Sequence, residues 1–171
     1  LHWVPLTTRE ANPEGKGGVS MLDLLVNALR MRPDRILVGE IRRQRQAEVL
    51  FEAMHTGHSV YSTLHADTAE QTVRRLVNPP IDVPETMVDA VDVNVVMFRD
   101  RRRNFRRAME VAEITENDEE VEANVLYEWQ SKEDEIEKKQ QSETIYEELN
   151  LHTGMTREEM EEAIEEKKMI L

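Results

Sequence analysis

A chain of 171 residues can bury one substantial core and is too short for two large domains, so a compact domain with an appendage is the expected plan. With no cysteine there is neither a disulfide framework nor a thiolate metal site, which fits a reducing compartment. The net charge of -13 is unevenly placed: residues 1–107 hold 16 Lys or Arg against 14 Asp or Glu, and residues 108–171 hold 6 against 21, so the acidic end is unsuited to phosphate-rich partners.

Residues 2–8 have strand-like content, and the turn formers from Asn12 to Gly18 break any regular element after them. Ser20 and Asp23 form a capping-box signature ahead of a helix whose stripe is Met21, Leu22, Leu25, Val26 and Leu29, ended by Pro33. RILVGE reads as a short buried strand. Ala47, Leu50, Phe51 and Met54 give a second helix over residues 43–56, with Gly57 where its cap would lie. SVYSTLH is again a strand. Asp67 and Glu70 open a third helix, with Val73, Leu76 and Val77 inward, which Pro79 and Pro80 end. DVNVVMF and MEVAEI are further strands on either side of the basic run RDRRRNFRR. Beyond Thr115, NVLYEWQ predicts an edge strand, SKEDEIEKKQQ a polar linker or solvated helix, and residues 142–151 and 156–170 two helices. Thr156 and Glu159 cap the second of these, with Met155 and Met160 as its hydrophobic staple. The chain begins LHWVPLTTRE, without Met or an apolar signal core, and reads as cut from something longer. Its apolar runs are too short for a membrane helix.

Strand, helix, strand, helix, strand in this rhythm predicts an α/β fold, a mostly parallel sheet with flanking helices. Ligands of such sheets bind at the C-terminal ends of the strands, where Glu40 and His65 both fall. A carboxylate directly after an apolar strand can orient and partly deprotonate an attacking water beside a phosphate and Mg2+, and Gly39 leaves room for close approach. His65 can donate to a phosphate oxygen. His58 and His65 flank one strand at odd spacing, which puts them on opposite faces and excludes a shared metal pair.

MRPDRILVGEIR followed by TGHSVYSTLHA resembles the Walker B and His boxes of the motor ATPases of type II and type IV secretion, pilus and archaellum systems. PLTTRE, MLDLLVNALR, VRRLVNPPIDVPETMVDAVD and the acidic tail with its Trp resemble the archaeal branch. The resemblance implies a partial RecA-like P-loop NTPase core over residues 1–115 and an acidic α/β extension over residues 116–171. It makes Glu40 the catalytic carboxylate, puts Thr63 and His65 in the His box, and gives Gly39 the position usually held by the Walker B Asp. Arg30, Arg32 and Arg42 lie where the family keeps arginines near nucleotide or a subunit interface, and Arg9 and Glu10 border the site. It further implies ATP and Mg2+ as cofactors of the full-length parent, a homo-hexamer, a membrane platform protein as partner, and a cytoplasmic place on the inner face of the cell membrane.

One departure stands out: GxxxxGK[ST] occurs nowhere, and the loop Gly15, Lys16, Gly17, Gly18 lacks the Ser or Thr that the phosphate cradle needs. The family keeps that cradle ahead of the segment matched here. The fragment alone is therefore expected to be inactive, and the competing reading is a catalytically silent scaffold from a truncated or split gene. Two other readings are open. RDRRRNFRR, six arginines around Phe105, could serve nucleic acid, or could be a basic turn facing a neighbour's acidic tail; no nucleic acid is expected. His55, His58 and Glu40 could make a metal hydrolase, although no helical HExxH is present and no metal is expected.

Overall fold

The computed structural model describes residues 2–117, 120–142 and 144–169. The chain forms two compact units, Leu1–Ala66 with Gln71–Ala90, and Asp67–Glu70 with Val91–Leu171.

In the first unit, α1 (Met21–Arg30) starts on the capping box: the Ser20 hydroxyl accepts from the Asp23 amide, and the Asp23 carboxylate accepts from the Ser20 amide. β1 (Arg35–Val38) and β2 (Ser59–Ser62) form a two-stranded parallel sheet, joined by α2 (Gln44–His55). The apolar stripe read from the sequence is the packed one: Ala47, Leu50 and Phe51 are fully or almost fully buried, and α2 packs on α1, β2 and α4 (Glu85–Val88). Burying side chains the size of Leu50 and Phe51 is worth roughly 1.5–3 kcal/mol each. Gly57, one residue past the helix cap Thr56, takes φ 88°, a left-handed turn that a residue with a Cβ adopts only under strain. α3 (Ala69–Val77) follows, with Val73 and Leu76 buried as expected.

The second unit is built on a four-stranded antiparallel sheet, in order β3 (Asn94–Asp100), β4 (Phe105–Asn117), β5 (Glu120–Gln130) and β6 (Glu135–Lys138). This corrects the mostly parallel sheet predicted from the rhythm. Only β1 and β2 pair in parallel among the described residues, because β3 and β4 are joined by four residues and a parallel crossover needs roughly a dozen. NVLYEWQ lies in β5, which is interior, and the edge is β6, inside the stretch expected to be linker or helix. Residues 2–8 form no strand. Trp3, Val4 and Leu6 stay exposed, and pairing begins only after the segment, at the bridge of Arg9 with Val19 that closes the following loop. α5 (Ile145–Thr153) and α6 (Arg157–Lys168) complete the unit. α6 starts on the expected Thr156 and Glu159 capping box and buries Met160, while Ile170, where the helix was expected to end, lies outside the described residues.

Two polar fixtures hold this unit. Glu113 on β4 is fully buried: its Oε1 accepts from Asn124 Nδ2 at 2.7 Å, and its Oε2 accepts from Ser142 Oγ at 2.7 Å and from Thr144 Oγ1 and N at 3.1 and 3.3 Å. A buried carboxylate is tolerated only when its lone pairs are taken up in this way. At the end of the sheet, Arg107 forks onto Asp134, Nε to Oδ1 at 2.6 Å and Nη2 to Oδ2 at 2.5 Å, and Trp129 Nε1 donates to the same Oδ1 at 2.9 Å. Phe98, Phe105 and Trp129 pack against one another beneath, with centroids 5.6–6.2 Å apart.

The Arg107 hydrogen bonds, helped by Trp129, hold the Asp134 carboxyl down from 3.8 to about 2. A depressed carboxylate stabilises the fold above its unfolded value and loses that contribution as pH falls through the folded one. In a Trp3→Phe background, Trp129 fluorescence is expected to change as pH drops from about 4 to about 2, and the Asp134→Asn variant is expected to lose that step.

Candidate functional site

β1 and β2 pair in register from Arg35 with Ser59 to Val38 with Ser62, so their C-terminal ends share one rim. Glu40 follows the end of β1 and His65 follows the end of β2. Two hydrogen bonds continue the pairing past the strands: the Ile41 amide donates to the Thr63 carbonyl at 3.1 Å, and the Thr63 hydroxyl donates to the Gly39 carbonyl. Residues of strand-ending loops are thereby fixed on a rigid base.

Arg42 places both Nε and Nη2 on Glu40 Oε2, at 2.7 and 2.6 Å. His65 Nε2 lies 3.4 Å from the other oxygen, Oε1. Arg75, from the last turn of α3, donates to the His65 carbonyl. Together with Ile41, Leu64, Pro80 and Ile81 these residues line a hollow of about 110 Å³. Gln44 fixes the Pro80 wall, its amide donating to the Pro80 carbonyl at 3.2 Å and its side chain to the Asp82 carbonyl at 3.3 Å. The Glu40 side chain is 21% exposed, and those of Arg42 and His65 are 73% and 83% exposed, so the carboxylate is recessed beneath mobile-length donors.

The Arg42 hydrogen bond holds the Glu40 carboxyl below its ordinary value. The charge of Arg42, and then of His65 and Arg75, acts in the same direction, and partial burial opposes it. Glu40 in return raises the Arg42 guanidinium. One ionised carboxylate ringed by two guanidiniums and an imidazole can bind an oxyanion through the donors while the carboxylate orients a water. The donor set fits the phosphate end of a nucleotide. The volume does not hold a whole one, since pockets for such ligands run from roughly 300 Å³.

The structure thus gathers Glu40, Arg42 and His65, with Gly39 and Thr63 supporting them. A Cβ added at Gly39 would meet nothing within 4 Å, so the glycine leaves open room on the rim. Arg30 closes α1, and Arg32 follows it at φ 51°; both are exposed and outside the lining of the hollow. Arg9 donates to the Gly17 carbonyl at 2.7 Å within the first loop, and Glu10 beside it is exposed. Arg75 was missed from sequence because, within AEQTVRRLV, it reads as the solvated side of a helix. The residues of the metal-hydrolase reading are dispersed: His55 lies 3.8 Å from Asp89, His58 Nδ1 lies 3.2 Å from the Ala53 carbonyl, and among the described residues no three acidic or imidazole groups gather as a metal site.

A mixed α/β protein with a carboxylate, arginine and histidine cluster at the ends of a parallel strand pair is the class that fold and site define. The chain belongs to the type II/IV secretion system protein family, whose model matches residues 5–99 and so ends before β4. It is 34% identical over 141 residues to an uncharacterized protein of Methanocaldococcus jannaschii, covering 80% of this chain and 52% of that one. It is 39% identical over 88 residues to the type IV pilus assembly ATPase PilB of Pseudomonas aeruginosa, covering 52% and 15%. The solved ATPase DotB of Legionella pneumophila superposes on 63% of this chain and 26% of its own, at 25% identity and a TM-score of 0.39, too low to bear on the fold. The chain spans about half the length of the first of these relatives and less of the others.

Proposed function

We propose that this chain supplies the water-activating and phosphate-sensing edge of a motor ATPase that couples ATP hydrolysis to protein export or filament assembly. The observation that carries the reading is the Glu40, Arg42, His65 and Arg75 cluster on the shared rim of β1 and β2, in a member of the secretion family with a pilus ATPase among its relatives. Glu40 orients the attacking water and accepts its proton. His65 and Arg75 hold oxygens of the terminal phosphate, and Arg42, on leaving Glu40, offsets the charge that develops there. ATP supplies the phosphoanhydride that is cleaved, and Mg2+ offsets part of its charge. Arg30, Arg32, Arg9 and Glu10 form the wider border of nucleotide or neighbouring subunit in a ring of six copies. The archaeal character read from the sequence is favoured by relatives in Methanocaldococcus jannaschii. A platform protein on the inner face of the membrane would receive the motion; no described helix is long and apolar enough to cross that membrane.

No phosphate-cradling GxxxxGK[ST] lies within the 171 residues. The cluster alone offers little ground-state affinity, because the amides that hold phosphates are not part of it. Phosphate release by the purified chain, with Mg2+ and millimolar ATP, is expected at background, and appreciable turnover would overturn this division of the site. The reading frame upstream of Leu1 separates engine from scaffold. A cradle encoded there supports the engine, and a start codon opening a stable short protein supports a silent scaffold.

A further inference from the structure

Five arginines crowd one end of the antiparallel sheet around a single carboxylate, Asp100, which is turned onto backbone amides of the turn. Arg99 and Arg106 are directly opposite across β3 and β4, and Arg101, Arg102 and Arg103 sit in the turn between these strands. All five are exposed, and none has an ion-pair partner among the described residues. Only the sixth arginine of the run, Arg107, is committed, to Asp134. Like charges directly opposite on paired strands are destabilising. The turn is nevertheless held in one shape, since Asp100 Oδ1 accepts from the Arg102 and Arg103 amides at 2.7 and 3.0 Å. The charge is displayed on a fixed loop.

A matching counter-charge exists on the same unit. α6 buries Met160, and on its opposite side Glu158, Glu162 and Glu166 recur every fourth residue, all exposed and without a partner among the described residues. The neighbouring carboxylates are occupied: Glu159 caps the helix, Glu161 pairs with Arg157 at 3.3 Å, and Glu165 pairs with Lys168. At 1.5 Å per residue the free stripe is about 12 Å long, a length that a hairpin tip of two strands roughly 5 Å apart can span with arginine side chains. We propose that the arginine hairpin of one copy docks on the Glu158, Glu162 and Glu166 stripe of a second copy. A second copy is favoured over nucleic acid. Phe98, Phe105 and Trp129 are turned onto one another rather than offered to bases, and a chain of net charge -13 repels polyphosphate. Because hairpin and stripe are different surfaces, the contact is head-to-tail and extends to a ring or a line of copies.

Sedimentation velocity on the 171-residue chain tests this. Self-association is expected at about 50 mM salt and is expected to be lost near 0.5 M, where screening shortens to roughly 4 Å. The triple variant Arg101→Glu, Arg102→Glu, Arg103→Glu should weaken association at least about tenfold, as should Glu158→Lys, Glu162→Lys, Glu166→Lys, each with a wild-type circular dichroism spectrum. Mixing the two triple variants should restore assembly, because each reversed surface then meets its complement. Should the glutamate hairpin fail to fold, the Arg101→Gln, Arg102→Gln, Arg103→Gln set reads the same direction. A monomeric wild type at low salt overturns the proposal, and so does failure of the two folded variants to rescue each other. Hairpin-dependent capture of a DNA duplex or anionic vesicles, with self-association unaffected by either reversal, assigns the arginines to phosphate instead.

Discussion

Glu113→Ala is expected to destabilise the antiparallel unit by about 3 kcal/mol or more, the range measured when one partner of a buried charged network is removed. The loss is more than that of one carboxylate. The half-buried donors of Asn124, Ser142 and the Thr144 amide and hydroxyl would all lose their shared acceptor and face the hole it leaves. For a chain of this size the thermal midpoint should fall by roughly 10 °C. Glu113→Gln, which keeps the shape and one acceptor oxygen, should lose about half as much. Thermal melts followed by circular dichroism read both variants, and a shift below about 0.5 kcal/mol for Glu113→Ala would show that the hub is not what fastens the segment entering α5.

The second large effect is chemical. Where a phosphate-holding loop completes the site, Glu40→Gln should slow phosphate release by about 10²- to 10⁴-fold and leave nucleotide affinity within a few-fold, since the amide keeps the hydrogen-bonding shape but cannot take a proton. Arg42→Ala separates orientation from charge: it frees Glu40 Oε2, so the carboxyl group should titrate closer to its ordinary value. Steady-state phosphate release against ATP concentration gives both parameters. A Glu40→Gln protein with unchanged maximal rate would remove Glu40 from the reaction.

Glu40 and His65 are legible in the sequence because each follows a short strand bounded by helices of clear period, and parallel pairing of such strands puts their ends on one side. The carboxylate–arginine fork was not legible: Glu40 and Arg42 are two residues apart, and whether they meet depends on the loop's path. Arg75 was hidden because it acts from a helix end, where an arginine usually faces water. Strand β6 carries Ile136 as its one apolar residue, and its four residues are all exposed, so no alternation of apolar and polar marked it. The reverse error occurred at residues 2–8, where Trp3, Val4 and Leu6 look like a strand but lack a neighbour among the described residues to take their backbone hydrogen bonds.

The two borders of the antiparallel sheet differ in a way that bears on handling the protein in concentrated solution. β3 leaves Val95 and Met97 open to solvent, while β6 closes the other side with Glu135, Glu137 and Lys138 around Ile136. Cross-β growth needs both margins of a sheet to accept a neighbour, and a short, charged margin refuses one. The charged β6 margin therefore disfavours the addition of a further strand there, so pairing through β3 is not readily propagated from copy to copy.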